Sequence, residues 1–459
     1  MPADALYGAS TARAVSNFTI SGVKVPRRVI SALACIKYAA AKANKKAGVL
    51  DGDVADAISE AAERVMCPGS DILSDDNFPV DIFQTGSGTS SNMNVNEVLS
   101  SLSTASLGRL VHPNDAVNMG QSSNDCFPAA VRIATATTMR DDVIPSLKVL
   151  EASLAAKGEE IWPVLHCART HLQDALPTRL GSLFVGHAAQ MRGAIAKCEQ
   201  AMQDVCHISF GTAVGTAYGA SPSFSTEVVK TLAEHTHLPL QDVTPTAKRF
   251  AAQSTMDDML AASQALSYAA MSIAKVANDI RWLSAGPRCG LHEITMPTLQ
   301  PGSSMMPGKG NPVLAEALLQ TCCAVLGGNV SLEHASLLMS NFELAVAWPL
   351  ASTVCVTHGQ WLANATCKFS RDAVDGISAT DAGPRNAASS LMLSTALAQE
   401  MGYDAAASVA KDAGATASTL IEAALRTPEG QQLGEQRLAE MLDPKRLLGP
   451  FDGPHPPPA

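Results

Sequence analysis

Aromatic side chains are scarce in this sequence: Phe, Trp and Tyr make up 4% of 459 residues, although apolar residues reach 46%. Strands favour β-branched and aromatic residues, so this shortage, beside abundant Ala, Leu, Met and Ser, counts against sandwiches and barrels and for close-packed helices. No Cys-x-x-Cys and no Cys/His pair at zinc spacing occurs. The eleven cysteines are scattered, with Cys322 and Cys323 alone adjacent, a pattern that points to reduced thiols in the cytoplasm. Met1-Pro2-Ala3-Asp4 has neither a basic segment nor an apolar core, so no signal peptide is expected. The most apolar stretch, Leu260 to Ala277, is interrupted by Ser263, Gln264, Ser267 and Lys275 and reads as a core helix rather than a membrane span. Basic residues (33) are outnumbered by acidic ones (43), for a net charge of -10. Such a surface repels polyphosphate and excludes broad nucleic-acid binding, and any anion site must gather its positive potential locally. Ordinary Gly and Pro usage excludes a disordered or collagen-like chain, and the length suffices to fold without disulfides or metals.

Residues 1–121 mix short helical segments, such as Val29 to Lys46, with Gly/Pro/Asp-rich breaks such as Cys67-Pro68-Gly69-Ser70-Asp71. From Pro128 the apolar residues recur at 3.6-residue spacing over 128–158, 178–206, 223–236, 246–285, 312–337 and 347–375. The 246–285 segment alone would span about 60 Å. Long helices with brief separators describe a helical bundle, and Pro145 predicts a kink in the first of them. After Gly376 the rhythm shortens, and Gly449 to Ala459 is expected to be a loose tail. The expected division is therefore 1–121, a mainly helical N-terminal domain; 122–376, the long-helix bundle; and 377–459, a small helical C-terminal domain.

Four polar segments have no packing use in a bundle. Thr85-Gly86-Ser87-Gly88-Thr89-Ser90-Ser91-Asn92-Met93-Asn94 precedes a helix expected from about Val95. It reads either as a solvated turn or as a carboxylate cradle of backbone N–H and hydroxyl donors. Neither GxGxxG nor GxxxxGK[ST] is present, which counts against a nucleotide loop. Gln121-Ser122-Ser123-Asn124-Asp125 reads on its own as a helix cap before Pro128. In Arg169-Thr170-His171-Leu172-Gln173-Asp174-Ala175, His171 is either a satisfied structural residue or an acid–base group. The fourth segment, Gly302 to Pro312, holds three glycines and two prolines in eleven residues, which precludes a regular helix. It also carries Ser303, Ser304, Lys309 and Asn311. A serine on a closing loop can serve as nucleophile or base if its alkoxide is stabilised, and Lys and Asn can hold a carboxylate. No GxSxG elbow surrounds these serines, so an α/β-hydrolase triad is unsupported.

Together these segments resemble the fumarase/aspartase superfamily, most closely class II fumarase. Gly302–Asn311 matches the signature GSSxMPxKxN without a gap. Thr85–Asn94, the His112-Pro113-Asn114-Asp115 run, Ser122–Asp125, Thr170–Ala175 and Gly286-Pro287-Arg288-Cys289-Gly290 also match, in order, from about Tyr7 to Leu447. The resemblance implies an all-α, three-domain fold whose central bundles build a twenty-helix tetramer core. It implies a homotetramer with each active site drawn from three subunits, a small dicarboxylate substrate, and neither metal nor organic cofactor. The implied reaction is reversible anti addition to fumarate, through a carbanion whose extra charge sits on an aci-carboxylate and must be stabilised beyond the ground state. Carried over, Ser303 removes the C3 proton and Ser304 flanks it. Thr170, His171, Lys309 and Asn311 hold the carboxylates and developing charge, and Glu316 pairs with His171. Ser87, Thr89, Asn92, Ser122, Ser123 and Asn124 complete the binding site. His112, Asn114 and Asp115 would form a secondary carboxylate site. Whether His171 donates a proton or binds substrate is left open.

Three features favour hydration over amination: Ser122-Ser123-Asn124-Asp125 where aspartases read STND, Pro307-Gly308-Lys309 where they read PAK, and Asn341-Phe342-Glu343-Leu344 where they carry Gln-Leu-Gln-Leu. Val313 is an aspartase-like choice. Gly219 stands where the family's GTGLN stretch has Asn, Gly310 where Val is usual, and Ala345 and Trp348 where fumarases commonly place Asn and a basic residue. These departures read either as drift or as a changed third substituent on the succinyl skeleton. Fumarate hydration leads. An aspartase or a lyase for another substituted succinate is the alternative, and a silent paralogue is a third.

Overall fold

A computed structural model of the chain describes residues 5–210, 214–243 and 248–449. The Met1–Asp4 segment and the tail from residue 450 lie outside the described residues. The chain packs as two compact units. One comprises residues 1–146, 194–271 and 320–364, the other 147–193, 272–319 and 365–459.

Helices dominate both units, and the three longest are Leu180–Asp204, Asp257–Leu283 and Val313–Leu338. At 25, 27 and 26 residues each runs about 38–40 Å. In the first unit the Ala-rich Arg27–Lys46 helix is buried on most of its faces, through Val29, Leu33, Ile36 and Ala40, and Lys45 and Lys46 lie in its last turn, where the helix dipole favours cations. Asp51 starts the next helix, Gly52–Met66, by accepting the N–H groups of Asp53 and Val54. In the second unit Leu393, Leu397, Val409, Leu438 and Met441 form a separate C-terminal core.

The structure corrects four expectations. The helix expected from about Val95 begins at Thr89, because Gly88 takes φ 71° and starts it directly from the turn. The helix expected at Pro128 begins at Ser123, and Pro128 lies inside its second turn. The 246–285 segment is two helices, Lys248–Ser254 and Asp257–Leu283. At the break, Ser254 Oγ and Thr255 Oγ1 donate back to the carbonyls of Phe250 and Ala251, and Asp257 and Asp258 occupy the new first turn. Leu260–Ala277 is not the most membrane-like stretch. Val313–Leu338 is long and apolar enough to cross a membrane by length and composition, and little of it is buried within the single chain.

Pro145 sits at the start of the Ile144–Glu160 helix, directly after a π-helical turn at Met139–Val143. The wider turn accommodates a residue that has no N–H and whose ring crowds the preceding turn. Short strands interrupt the helices. The longest pair is an antiparallel hairpin, Leu165–Thr170 with Gln173–Arg179, and it carries the Thr170–His171 segment.

Candidate functional site

The first unit brings Ser87, Thr89 and Ser123 together. Ser87 Oγ lies 2.9 Å from Thr89 Oγ1, which lies 2.8 Å from Ser123 Oγ. Two glycines make this approach possible. A Cβ on Gly86 would fall 1.7 Å from the Val346 carbonyl oxygen, and one on Gly88 would fall 2.1 Å from the buried Phe127 ring. Gly88→Ala combines that overlap with a left-handed backbone. It is expected to destabilise the fold by about 2–4 kcal/mol, seen as a lowered denaturation midpoint, and an unchanged midpoint would contradict the packing described here.

Ser122 is a helix cap, as its sequence context suggests. Its side chain receives the Asn124 N–H at 3.2 Å, while its own N–H donates to Asp125 Oδ1 at 3.1 Å, a reciprocal capping arrangement. His112 is likewise a cap. Its Nδ1 accepts the N–H groups of Asn114 and Asp115 at 3.3 and 3.1 Å on an exposed turn.

Behind these segments lies a residue that sequence reasoning missed. Lys37, fully buried, donates to Asn92 Oδ1 (2.7 Å), Asn118 Oδ1 (2.9 Å) and Gln121 Oε1 (3.0 Å). Asn92, expected to touch substrate, is itself buried, and its amide nitrogen donates to Asn118 at 3.1 Å. Burial lowers the Lys37 pKa from its ordinary value, and the neighbouring Cys126 and Asp125 oppose that shift. The available signal is a single Lys within the apolar run from Val29 to Ala41.

In the second unit Thr170 and His171 stand at the exposed tip of the hairpin. His171 and Leu172 both have positive φ, 55° and 60°, the geometry of a two-residue turn that ordinarily selects Asn-Gly. Placing a His and a Leu there stores backbone strain of the kind that collects at functional sites. The hairpin is anchored from below by Glu293, which is fully buried. Its carboxylate accepts from Arg169 Nη2 at 2.7 Å and from Asn386 Nδ2 at 2.9 Å, and lies 3.1 Å from His166 Nδ1. Burial would raise the Glu293 pKa, but the hydrogen bonds from His166, Arg169 and Asn386 and the charge of Arg169 outweigh it and hold it at about 2. Glu293 is a second residue that the sequence reading did not single out.

The Gly302–Pro312 segment has no regular secondary structure, as its glycines and prolines dictate, and the next helix starts at Val313. Gly302 N–H donates to the Lys309 carbonyl at 2.9 Å and Asn311 Nδ2 donates to the Gly302 carbonyl at 2.8 Å, closing the segment into a loop. Within it Ser303 Oγ accepts two backbone N–H groups, from Met305 at 3.2 Å and Met306 at 2.9 Å. Two such donors on one hydroxyl oxygen are suited to stabilising an alkoxide. Ser304 and Lys309 are exposed on the same loop, and Glu316 is exposed on the first turn of the following helix. Among the described residues no group of three or more His, Cys, Asp or Glu side chains is placed to hold a metal ion.

Three of the departures from the family pattern, Gly219, Ala345 and Trp348, have defined places in the first unit. Gly219 is exposed with φ 80°, a conformation that Gly and Asn both tolerate. Ala345 and Trp348 are fully buried, and the Trp348 backbone N–H donates to the Gly86 carbonyl at 3.1 Å. A cation still faces position 348: the Arg132 guanidinium lies 4.6 Å from the Trp348 ring centre while its Nε contacts Asp258 at 2.5 Å.

Residues 1–327 match a family described as Lyase, and residues 393–449 match one described as Fumarase C C-terminus. A class II fumarate hydratase of Chromobacterium violaceum is 43% identical over 93% of this chain and 92% of its own length. A mitochondrial fumarate hydratase of Danio rerio is 40% identical over 98% of this chain and 88% of its own. Among solved structures, a class II fumarase from Schistosoma mansoni superposes with a TM-score of 0.92 at 33% identity, covering 98% of this chain and 97% of that one. A fumarate lyase:delta crystallin protein from Brucella melitensis bound to cobalt gives 0.90 at 36% identity, with the same coverage.

Proposed function

This chain belongs to the fumarase/aspartase superfamily and within it to the class II fumarases, and from that premise we propose that it is a lyase that reversibly hydrates fumarate to L-malate, with Ser303 as the base that removes the C3 proton. The observation that carries the assignment of the base is the pair of backbone N–H donors on Ser303 Oγ. They stabilise negative charge on that oxygen, which an unaided serine cannot hold near neutral pH.

In this reading the proton taken from C3 leaves a carbanion whose charge passes to the adjacent carboxylate. Lys309 and Asn311 stabilise that aci-carboxylate, and Ser304, Thr170 and His171 hold the remaining polar groups. Ser87, Thr89, Ser123 and Asn124 bind the other carboxylate, with Ser122 and Asn92 supporting them from the cap and from below. Glu316 pairs with His171. No step calls for a metal or organic cofactor. The exposed His112–Asp115 turn is kept as a secondary carboxylate site.

Assembly as a homotetramer, with each site drawing on three subunits, is part of the same proposal. Its support is the largely unburied apolar surface of Val313–Leu338, where Leu337 and Leu338 are 78% and 70% exposed. A surface of that kind is buried on association with further copies. The three-part division at 121/122 and 376/377 is proposed for the subunit within that assembly. A cytoplasmic location is supported by the cysteines, all eleven of which are free thiols.

The test follows the ultraviolet absorbance of fumarate with purified protein and no added metal, starting from L-malate, from L-aspartate, and from fumarate with and without ammonia. Fumarate appearing from malate, and disappearing in water alone, is the expected result. Silence with malate and turnover with an amine would overturn the assignment in favour of an ammonia- or amine-lyase.

A further inference from the structure

We propose that Lys37 is the positioning residue of the carboxylate-binding hydroxyls: a buried ammonium that clamps Asn92 to Asn118 and Gln121, so holds Thr89 beside Ser123, and supplies positive charge behind them. The inference rests on reading Ser87, Thr89 and Ser123 as a carboxylate site.

The charge on Lys37 follows from hydrogen-bond counting. The Gln121 amide nitrogen donates to the carbonyls of Val117 (3.0 Å) and Met119 (3.2 Å), the Asn118 nitrogen to the Gln121 carbonyl (3.1 Å), and the Asn92 nitrogen to Asn118 Oδ1 (3.1 Å). These contacts fix the orientation of all three amides, so each turns its oxygen to Lys37. Three acceptors around one nitrogen require three N–H groups. An ammonium has three and a neutral amine two.

None of the three is a carboxylate, so the positive charge is not cancelled within the clamp. Asp125 acts on Lys37 through space, but its Oδ1 takes the Ser122 N–H. In a chain of net charge -10, a local cation behind the hydroxyls answers the need of a dianion site. The clamp also sets geometry. Asn92 follows Thr89 by three residues, on the same helix face. Gln121 precedes Ser123 by two residues. Drawing Asn92 and Gln121 onto one ammonium therefore draws Thr89 and Ser123 together.

The test measures Lys37→Met and Asn118→Ala alongside the unaltered protein, by fumarate kinetics and by amide hydrogen exchange. The hydroxyls bind a carboxylate in ground and transition states alike, so Lys37→Met raises KM at least about 10-fold, the size of one charge-assisted hydrogen bond. Its kcat stays within about 3-fold. Exchange accelerates in peptides spanning 85–94 and 118–125 and stays unchanged in the Leu393–Leu442 core. Asn118→Ala shifts both readouts in the same direction and decides the matter if Lys37→Met does not fold. Wild-type KM with unaltered exchange, or exchange that rises equally throughout the chain, overturns the proposal. If the unaltered protein does not act on fumarate, the functional reading falls, and locally accelerated exchange still establishes Lys37 as the clamp.

Discussion

Replacing Ser303 with alanine lowers kcat by at least about 10³-fold, within the range for loss of a general base, and leaves the native mass and the melting temperature of the protein as they were. The loop explains the separation of the two effects. Ser303 Oγ accepts the N–H groups of Met305 and Met306, whereas the loop is closed by other bonds, from Gly302 N–H to the Lys309 carbonyl and from Asn311 to the Gly302 carbonyl. Removing the hydroxyl takes away the oxygen that receives the proton without removing the bonds that shape the segment. Ser304→Ala, on the same loop but exposed, gives a smaller loss. Steady-state kinetics with native mass measurement checks both variants. Near-normal turnover in Ser303→Ala would remove Ser303 as the base.

The largest effect on stability is expected at Glu293. Glu293→Ala leaves Arg169 and His166 without their buried partner, and breaking a buried pair in this way costs about 3–5 kcal/mol. The loss falls on the hairpin that carries Thr170 and His171, so turnover declines with stability. The pH dependence has a definite sign. With a folded pKa of about 2 against about 4.3 in an unfolded chain, Glu293 contributes stability that is fully present above the unfolded value. It is lost as pH falls toward 2, where the folded-state carboxylate finally takes up its proton. The melting temperature of the unaltered protein therefore drops more steeply below pH 4.5 than that of Glu293→Gln. Parallel acid profiles would show that the Glu293 cluster does not act as described.

What the sequence made legible was local. Gly302, Pro307, Gly308, Gly310 and Pro312 forbid a helix wherever they stand, and Ser122 with Asp125 three residues later is a cap by its spacing alone. Helical periodicity located most of the long helices to within a few residues. The start at Thr89 is hidden because Gly88 reads as part of a loop, whereas a glycine at positive φ can start the helix at once. The break near Thr255 is hidden because back-bonding hydroxyls leave apolar periodicity intact.

The remainder depended on partners far along the chain. Lys37 meets groups 55, 81 and 84 residues away, and Glu293 meets Arg169 and Asn386 at separations of 124 and 93. Both are charged residues within otherwise ordinary stretches, and nothing beside them in sequence announces their role. Val313–Leu338 shows the opposite difficulty. An apolar helix built for the interior of a subunit and one built for contact between subunits have similar compositions, so exposure had to be read from the structure.

The measurement that bears most directly on the central claim is hydration of fumarate in deuterium oxide, with the malate formed analysed by proton NMR. A single base acting on one face places one deuteron at C3 in a single configuration, anti to the incoming hydroxyl, and Ser303→Ala incorporates essentially none. Deuterium spread over both C3 configurations, or undiminished incorporation by Ser303→Ala, would contradict the assignment of Ser303 as the group that exchanges the C3 proton.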